Sequence, residues 1–134
     1  MSETRKLAIN PPFLMNAPAR GFSQAVRTGD TVYCSGQVSR AEGLEAQARE
    51  AFTNVRSLLA YAGATMADIV KVTVYTTDPD CWAKTAALRN DFLKPPFPAT
   101  TMVVVKGLAF PEFQIEIDVT AVVGAMSAPP SPAR

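Results

Sequence analysis

Two carboxylates near the end of the chain, Glu116 and Asp118, are the residues best spaced for chemistry. They fall two apart in residues 114–123, where Ile115, Ile117, Val119, Ala121 and Val123 alternate with Gln114, Glu116, Asp118, Thr120 and Val122. On a strand, that spacing places both carboxylates on one face, about 7 Å apart. A carboxyl whose pKa is raised by burial and by a like-charged neighbour can relay a proton or orient a water. The competing reading is a solvated strand face. Asp118 is assigned to that reading, and for Glu116 the residues alone favour it over the functional one.

The chain has no histidine, which removes every Ser-His, Cys-His and histidine acid/base scheme. Ser23 therefore has no base to make it a nucleophile. A structural zinc site takes about four Cys or His ligands, and only Cys34 and Cys81 are present. With no CxxC between them, they read as reduced small hydrophobes of a cytosolic protein. Only a carboxylate-ligated metal stays open on the residues alone.

These side chains must be positioned by elements that the punctuation marks out. Residues 5–9 suit an edge strand ended by Asn10-Pro11-Pro12. Residues 22–26 and 31–34 are short strands around the turn signal Thr28-Gly29-Asp30. Apolar steps of three and four through Leu44, Ala48, Phe52, Val55, Leu59 and Ala62 predict a helix capped by Gly63. The β-branched run 69–75 predicts a strand, with Val70, Val72 and Val74 in one row and Lys71, Thr73 and Tyr75 in the other. Asp78-Pro79-Asp80 opens a second helix running to about Leu93, stopped by Pro95-Pro96. Strands over 101–105 and 114–123 complete the order β-β-β-α-β-α-β-β.

That order predicts an α+β fold, one mixed sheet with two helices on a single face. Residues 1–124 are expected to form a single domain, and the proline-rich 125–134 a disordered tail. The second sheet face is partly apolar, which predicts an oligomer. Apolar residues make up 48% of the 134 and charged residues 19%, the balance of a globular protein. A net charge of +1 argues against a nucleic-acid or acidic-membrane partner. The first residues carry no apolar stretch suited to a signal peptide or membrane span, so a cytoplasmic location is expected.

Six collinear segments resemble the reactive-intermediate deaminase (Rid, or YjgF/UK114) family. They are Gly21-Phe22-Ser23-Gln24-Ala25-Val26, Ser35-Gly36-Gln37, Gln47 with Asn54, Val70-Lys71-Val72-Thr73-Val74-Tyr75, Pro98-Ala99-Thr100-Thr101 and Ile115-Glu116-Ile117-Asp118. The resemblance implies a chorismate-mutase-like fold, a homotrimer with a central barrel, and ligand clefts between subunits. It also implies hydrolysis of small enamines and imines such as 2-aminoacrylate, without cofactor or metal. In the family, an arginine in a Pro-Ala-Arg-Ser motif grips the substrate carboxylate, and a glutamate on the last strand handles water or proton.

The resemblance maps that glutamate onto Glu116 and that arginine onto Thr100, which offers one neutral hydrogen bond. A family tyrosine is Phe22 here, and a family asparagine is Ala86. The chain resembles an arginine-lacking subgroup. Phe22 is then expected as an apolar pocket wall, Ser35, Gly36 and Gln37 as a source of backbone donors, and Thr100 and Thr101 as cleft hydroxyls. Cys34, just before the pocket segment, is expected to be inert core.

Arg89 shares a helical phase with Trp82, Thr85 and Phe92. It is either a replacement anion clamp or, the favoured reading, an amphipathic stem that reaches the rim or pairs with a carboxylate. Arg20 precedes the pocket segment and is read the same two ways, with an exposed loop charge favoured. The function expected is imine or enamine deamination of a substrate other than 2-aminoacrylate. The alternative is a non-catalytic metabolite-binding or regulatory trimer using the same clefts. Nuclease activity is excluded on charge and on the missing histidines.

Overall fold

A computed structural model describes residues 5–126. The chain begins with β1 (Leu7–Ile9), β2 (Ala25–Thr28) and β3 (Thr31–Cys34), followed by helix α1 (Leu44–Tyr61). Strand β4 (Ile69–Thr76), two short helices α2 (Cys81–Lys84) and α3 (Ala86–Phe92), then β5 (Ala99–Val104) and β6 (Ile115–Val122) complete it. All six strands join one sheet in the order β1-β2-β3-β6-β4-β5. Only β4 and β5 pair in parallel, and α2 and α3 make the crossover between them. The last strand of the chain therefore lies in mid-sheet, antiparallel to β3 on one side and β4 on the other.

The alternation expected of the last strand is realised along β6. Ile115, Ile117, Val119 and Ala121 are buried, while Glu116, Asp118 and Thr120 are only half-buried on the opposite face. The buried row meets Ala48, Phe52, Val55 and Leu59 of α1 in a core shared with Leu88 and Phe92 of α3. The Phe52 and Phe92 rings stack at 5.1 Å, so both helical segments lie side by side on one face. At the end of α1, Gly63 takes φ +88°, and the Arg27 guanidinium donates to the Ala62 carbonyl at 2.9 Å. A cation there suits the negative end of the helix and ties it to the first hairpin.

Three local expectations change. Val70 leaves its predicted row because the β4–β6 register shifts between Ile69 and Lys71; Ile69 is buried instead and Val70 is exposed. The second helix is divided at Thr85, whose hydroxyl donates to the Cys81 carbonyl at 2.8 Å. The second strand starts at Ala25 rather than Phe22 because residues before it are held by loop contacts. There the Gln24 N–H donates to Asn10 Oδ1 and its side-chain amide to the Met15 carbonyl. The predicted tail lies outside the described residues from 127 onward, and Ala125 and Met126 belong to the turn after β6.

Because Phe52 is fully buried and stacked, Phe52→Ala should cost about 3–5 kcal/mol. Urea denaturation of the variant beside wild type measures that loss.

Candidate functional site

Glu116 lies half-buried on the face of β6 away from the helices, across from Gly36. Residues 35–37 run beside it, and the Gln37 and Ile117 backbones exchange hydrogen bonds of 2.8 and 3.0 Å. A Cβ at Gly36 would overlap the Glu116 carboxyl. A side chain at 36 would therefore displace the Glu116 carboxyl from the place where it lies. Among the described residues, no hydrogen bond or ion pair engages that carboxyl, and none engages the Gly36 N–H.

Burial raises the Glu116 pKa, and the nearby Asp118 charge raises it further. Asp118 is also raised, mainly by burial, with Tyr75 and Lys71 acting in the opposite direction. The Cys34 thiol is pushed up to about 12 by burial and Asp118, which leaves it a protonated, unreactive packing group.

Glu116 and Gly36 line an open cleft of about 650 Å³. Of the residues singled out from sequence, Arg20, Phe22, Ser35 and Gln37 line it too. Arg20 ends the turn Pro18–Arg20, and Gly21 follows at φ +88°. Its guanidinium makes no hydrogen bond or ion pair among the described residues. Ser35 is committed elsewhere, its hydroxyl donating to the Ser23 carbonyl at 2.7 Å. Buried Gln37 donates to Gln24 Oε1 at 2.9 Å and to the Ser35 carbonyl at 3.1 Å. These bonds hold the loop so that Gly36 presents its backbone beside Glu116.

Thr100, Thr101 and Arg89 are not brought to this cleft within the chain. Thr100 and Thr101 lie on the edge strand β5, where Thr101 accepts from Lys71 Nζ at 2.9 Å. Arg89 folds back on its own helix, donating to the Trp82 carbonyl at 2.8 Å and to Thr85 Oγ1 at 2.7 Å, with its guanidinium 3.6 Å from the Trp82 ring centre. The phase that put Arg89 on the apolar face assumed one continuous helix. In the structure the helix is broken at Thr85, Trp82 is exposed, and Arg89 finds partners within its own turns.

The cleft also contains residues that sequence reasoning missed. Phe13, Phe110 and Phe113 add aromatic walls, and Arg40 adds a second guanidinium. Arg40 Nε donates to Glu112 Oε2 at 2.9 Å, and its guanidinium stands 5.0 Å from the Phe113 ring centre and 5.5 Å from that of Phe110. Gln47 holds these two loops together. Its amide donates to the Ala41 and Glu112 carbonyls at 3.0 and 2.9 Å, and its oxygen accepts from the Gln114 N–H at 2.8 Å. The available signal was the unusual pair of phenylalanines bracketing Pro111 and Glu112 in a loop. Among the described residues, no three Cys, Asp or Glu side chains gather as a metal site, and no helix is long and apolar enough to cross a membrane.

The family model described as Endoribonuclease L-PSP matches residues 14–123, a range that takes in every residue lining the cleft except Phe13. This chain belongs to that family, the YjgF/RutC/Rid proteins. It is 39% identical over 104 residues to the RutC family protein YjgH of Escherichia coli, covering 72% of this chain and 79% of the relative. It is 35% identical over 119 residues to a 2-iminobutanoate/2-iminopropanoate deaminase of Salmonella typhimurium, covering 80% and 92%. A crystal structure of a YjgF/UK114-family member from Mycobacterium tuberculosis superposes with a TM-score of 0.81 at 30% identity, covering 89% of this chain and all of that one. The mixed α+β architecture is thus the family's, and some of its members are named imine deaminases.

The raised pKa of Glu116 has a consequence for stability. A carboxyl that holds its proton more tightly when folded penalises folding above that pKa, and the penalty disappears below the ordinary carboxylate range, about pH 4. Glu116→Gln should therefore raise the melting temperature at pH 7, with the gain shrinking towards zero as pH falls to about 4. Thermal melts of both proteins across pH 4–8 measure it.

Proposed function

We propose that this chain hydrolyses a reactive imine or enamine to a carbonyl compound and ammonia. The observation that carries the reading is the Glu116 carboxyl, unpartnered and raised in pKa, at a cleft with a free N–H on Gly36 beside it. In its acid form Glu116 gives a proton to the enamine carbon or imine nitrogen. As a carboxylate it then takes a proton from the water that adds to the C=N carbon, and it returns that proton to the nitrogen; ammonia leaves as the new hydroxyl gives its proton to solvent and becomes the carbonyl. The Gly36 N–H is suited to receive a polar substrate oxygen. The names of the deaminase relatives support the same reading.

The family arginine maps by resemblance onto Thr100, which carries no charge. In this reading Arg20 takes over the carboxylate, because it lines the cleft with its guanidinium uncommitted, whereas Arg89 is engaged on its own helix. The proposed assembly is a homotrimer with clefts between subunits, in which β5 of a neighbouring copy brings Thr100 and Thr101 towards the site. The uncovered side chains Tyr33 and Val103, on the sheet face away from the helices, support such an assembly. The neutral Thr100 and the missing hydroxyl at Phe22 favour a second reading, a trimer that binds a metabolite without turning it over.

Ammonia release from imines and 2-aminoacrylate generated in situ decides between them. A deaminase should exceed the spontaneous rate, and Glu116→Ala should lower that acceleration by about 100-fold or more. Arg20→Ala should raise KM for a carboxylate-bearing imine about 10-fold or more. No acceleration for any imine would leave the binding reading. Separately, Thr100→Arg should increase the rate towards 2-aminoacrylate; no gain would mean that the missing charge does not set the substrate.

A further inference from the structure

The cleft's walls are more aromatic than a three-carbon substrate requires. Phe22 and Phe110 remain 42% and 44% exposed there, and Phe13 57%. Exposed phenylalanines gathered around one concavity are a binding feature rather than core packing. Phe110 is not loose: its ring meets Phe113 edge-on at 5.8 Å, and Phe113 is buried. Arg40 continues this wall, its guanidinium set against both rings and fixed by Glu112. Gln47 braces the Glu112 loop from behind, so the wall is pre-formed. A cleft of about 650 Å³ lies in the range that encloses ligands well above three carbons.

Charge within the same cleft is arranged unevenly. Arg40 is neutralised by Glu112, while Arg20 has no acidic partner among the described residues. A ligand with a wide flat apolar group and a single carboxylate matches both features: ring on the phenylalanines, anion on Arg20.

We propose that the cleft is selective for 2-imino acids bearing an aryl side chain, and for the aryl 2-keto acids formed from them. The aryl ring lies against Phe22 and Phe110 beneath the Arg40 guanidinium, the carboxylate meets Arg20, and the C=N carbon faces Glu116. This selectivity deepens the deaminase reading and rests on it for the reaction, but its test needs no turnover.

Calorimetric titration of the unmodified protein with phenylpyruvate and with pyruvate compares the two chain types directly. Phenylpyruvate should bind about 10-fold more tightly or better. Phe110→Ala should abolish most of that preference and Phe110→Tyr should retain it; the exposure of Phe110 lets either variant fold, which circular dichroism verifies. Equal affinities, a preference for pyruvate, no measurable binding of either acid, or an unchanged preference in Phe110→Ala would overturn the inference. Imine hydrolysis is read separately. An aryl preference without ammonia release refutes the deaminase reading alone, and ammonia release without an aryl preference refutes the selectivity alone.

Discussion

The insertion of β6 between β3 and β4 is the constraint on which both core and cleft depend. A mid-sheet strand has its backbone groups paired on both sides, so its register is held by two neighbours at once. Its helix-facing row of Ile115, Ile117, Val119 and Ala121 is closed by α1 and α3, and a slip of one residue would turn that row towards water. The same register sends Glu116 and Asp118 to the opposite face. The position of the candidate proton carrier is thus secured by the hydrophobic burial behind it.

Next to this rigid strand, the cleft is assembled from loops, and amides hold it together. Gln24 and Gln37 bond to each other and to the segments before β2 and after β3. Gln47 does the same for the loops that carry Arg40 and Glu112. Each is buried, and a buried amide with its donors and acceptors satisfied resists displacement because an unpaired polar atom is costly there. The three glutamines tie these loops into fixed walls, and among the described residues the side chains of Glu116 and Arg20 are left without a hydrogen-bond or ion-pair partner.

Glu116 and Asp118 show how one strand face can give two carboxylates different surroundings. Asp118 lies among Lys71 and Tyr75, which offset part of its desolvation. Glu116 has no such relief and lies over Gly36. Burial and the Asp118 charge both raise the Glu116 pKa, whereas for Asp118 Tyr75 and Lys71 work against the effect of burial.

Much of this was legible in the sequence because it rests on short-range periodicity. The alternation of residues 114–123, the three-and-four stepping of α1, the Thr28-Gly29-Asp30 turn and the order of elements all follow from side chains that must reach one core. Glu116 and Gly36 were also singled out from their segments, although their mutual dependence was not visible. For Arg89 the periodicity leaves a clamp and a locally engaged stem open, and the guanidinium's hydrogen bonds to the Trp82 carbonyl and Thr85 hydroxyl depend on a helix break at Thr85 that the periodicity does not show. Phe110, Phe113 and Arg40 were missed because loop residues carry no period, and their meeting depends on Gln47 reaching across from α1. The sequence alone determined which elements form and which faces they bury, since those follow from local pattern and the free energy of hiding apolar surface. Only the tertiary structure decided which arginine stands free in the cleft and which is consumed by a neighbour, because a guanidinium's partner is set by contacts between segments far apart in the chain.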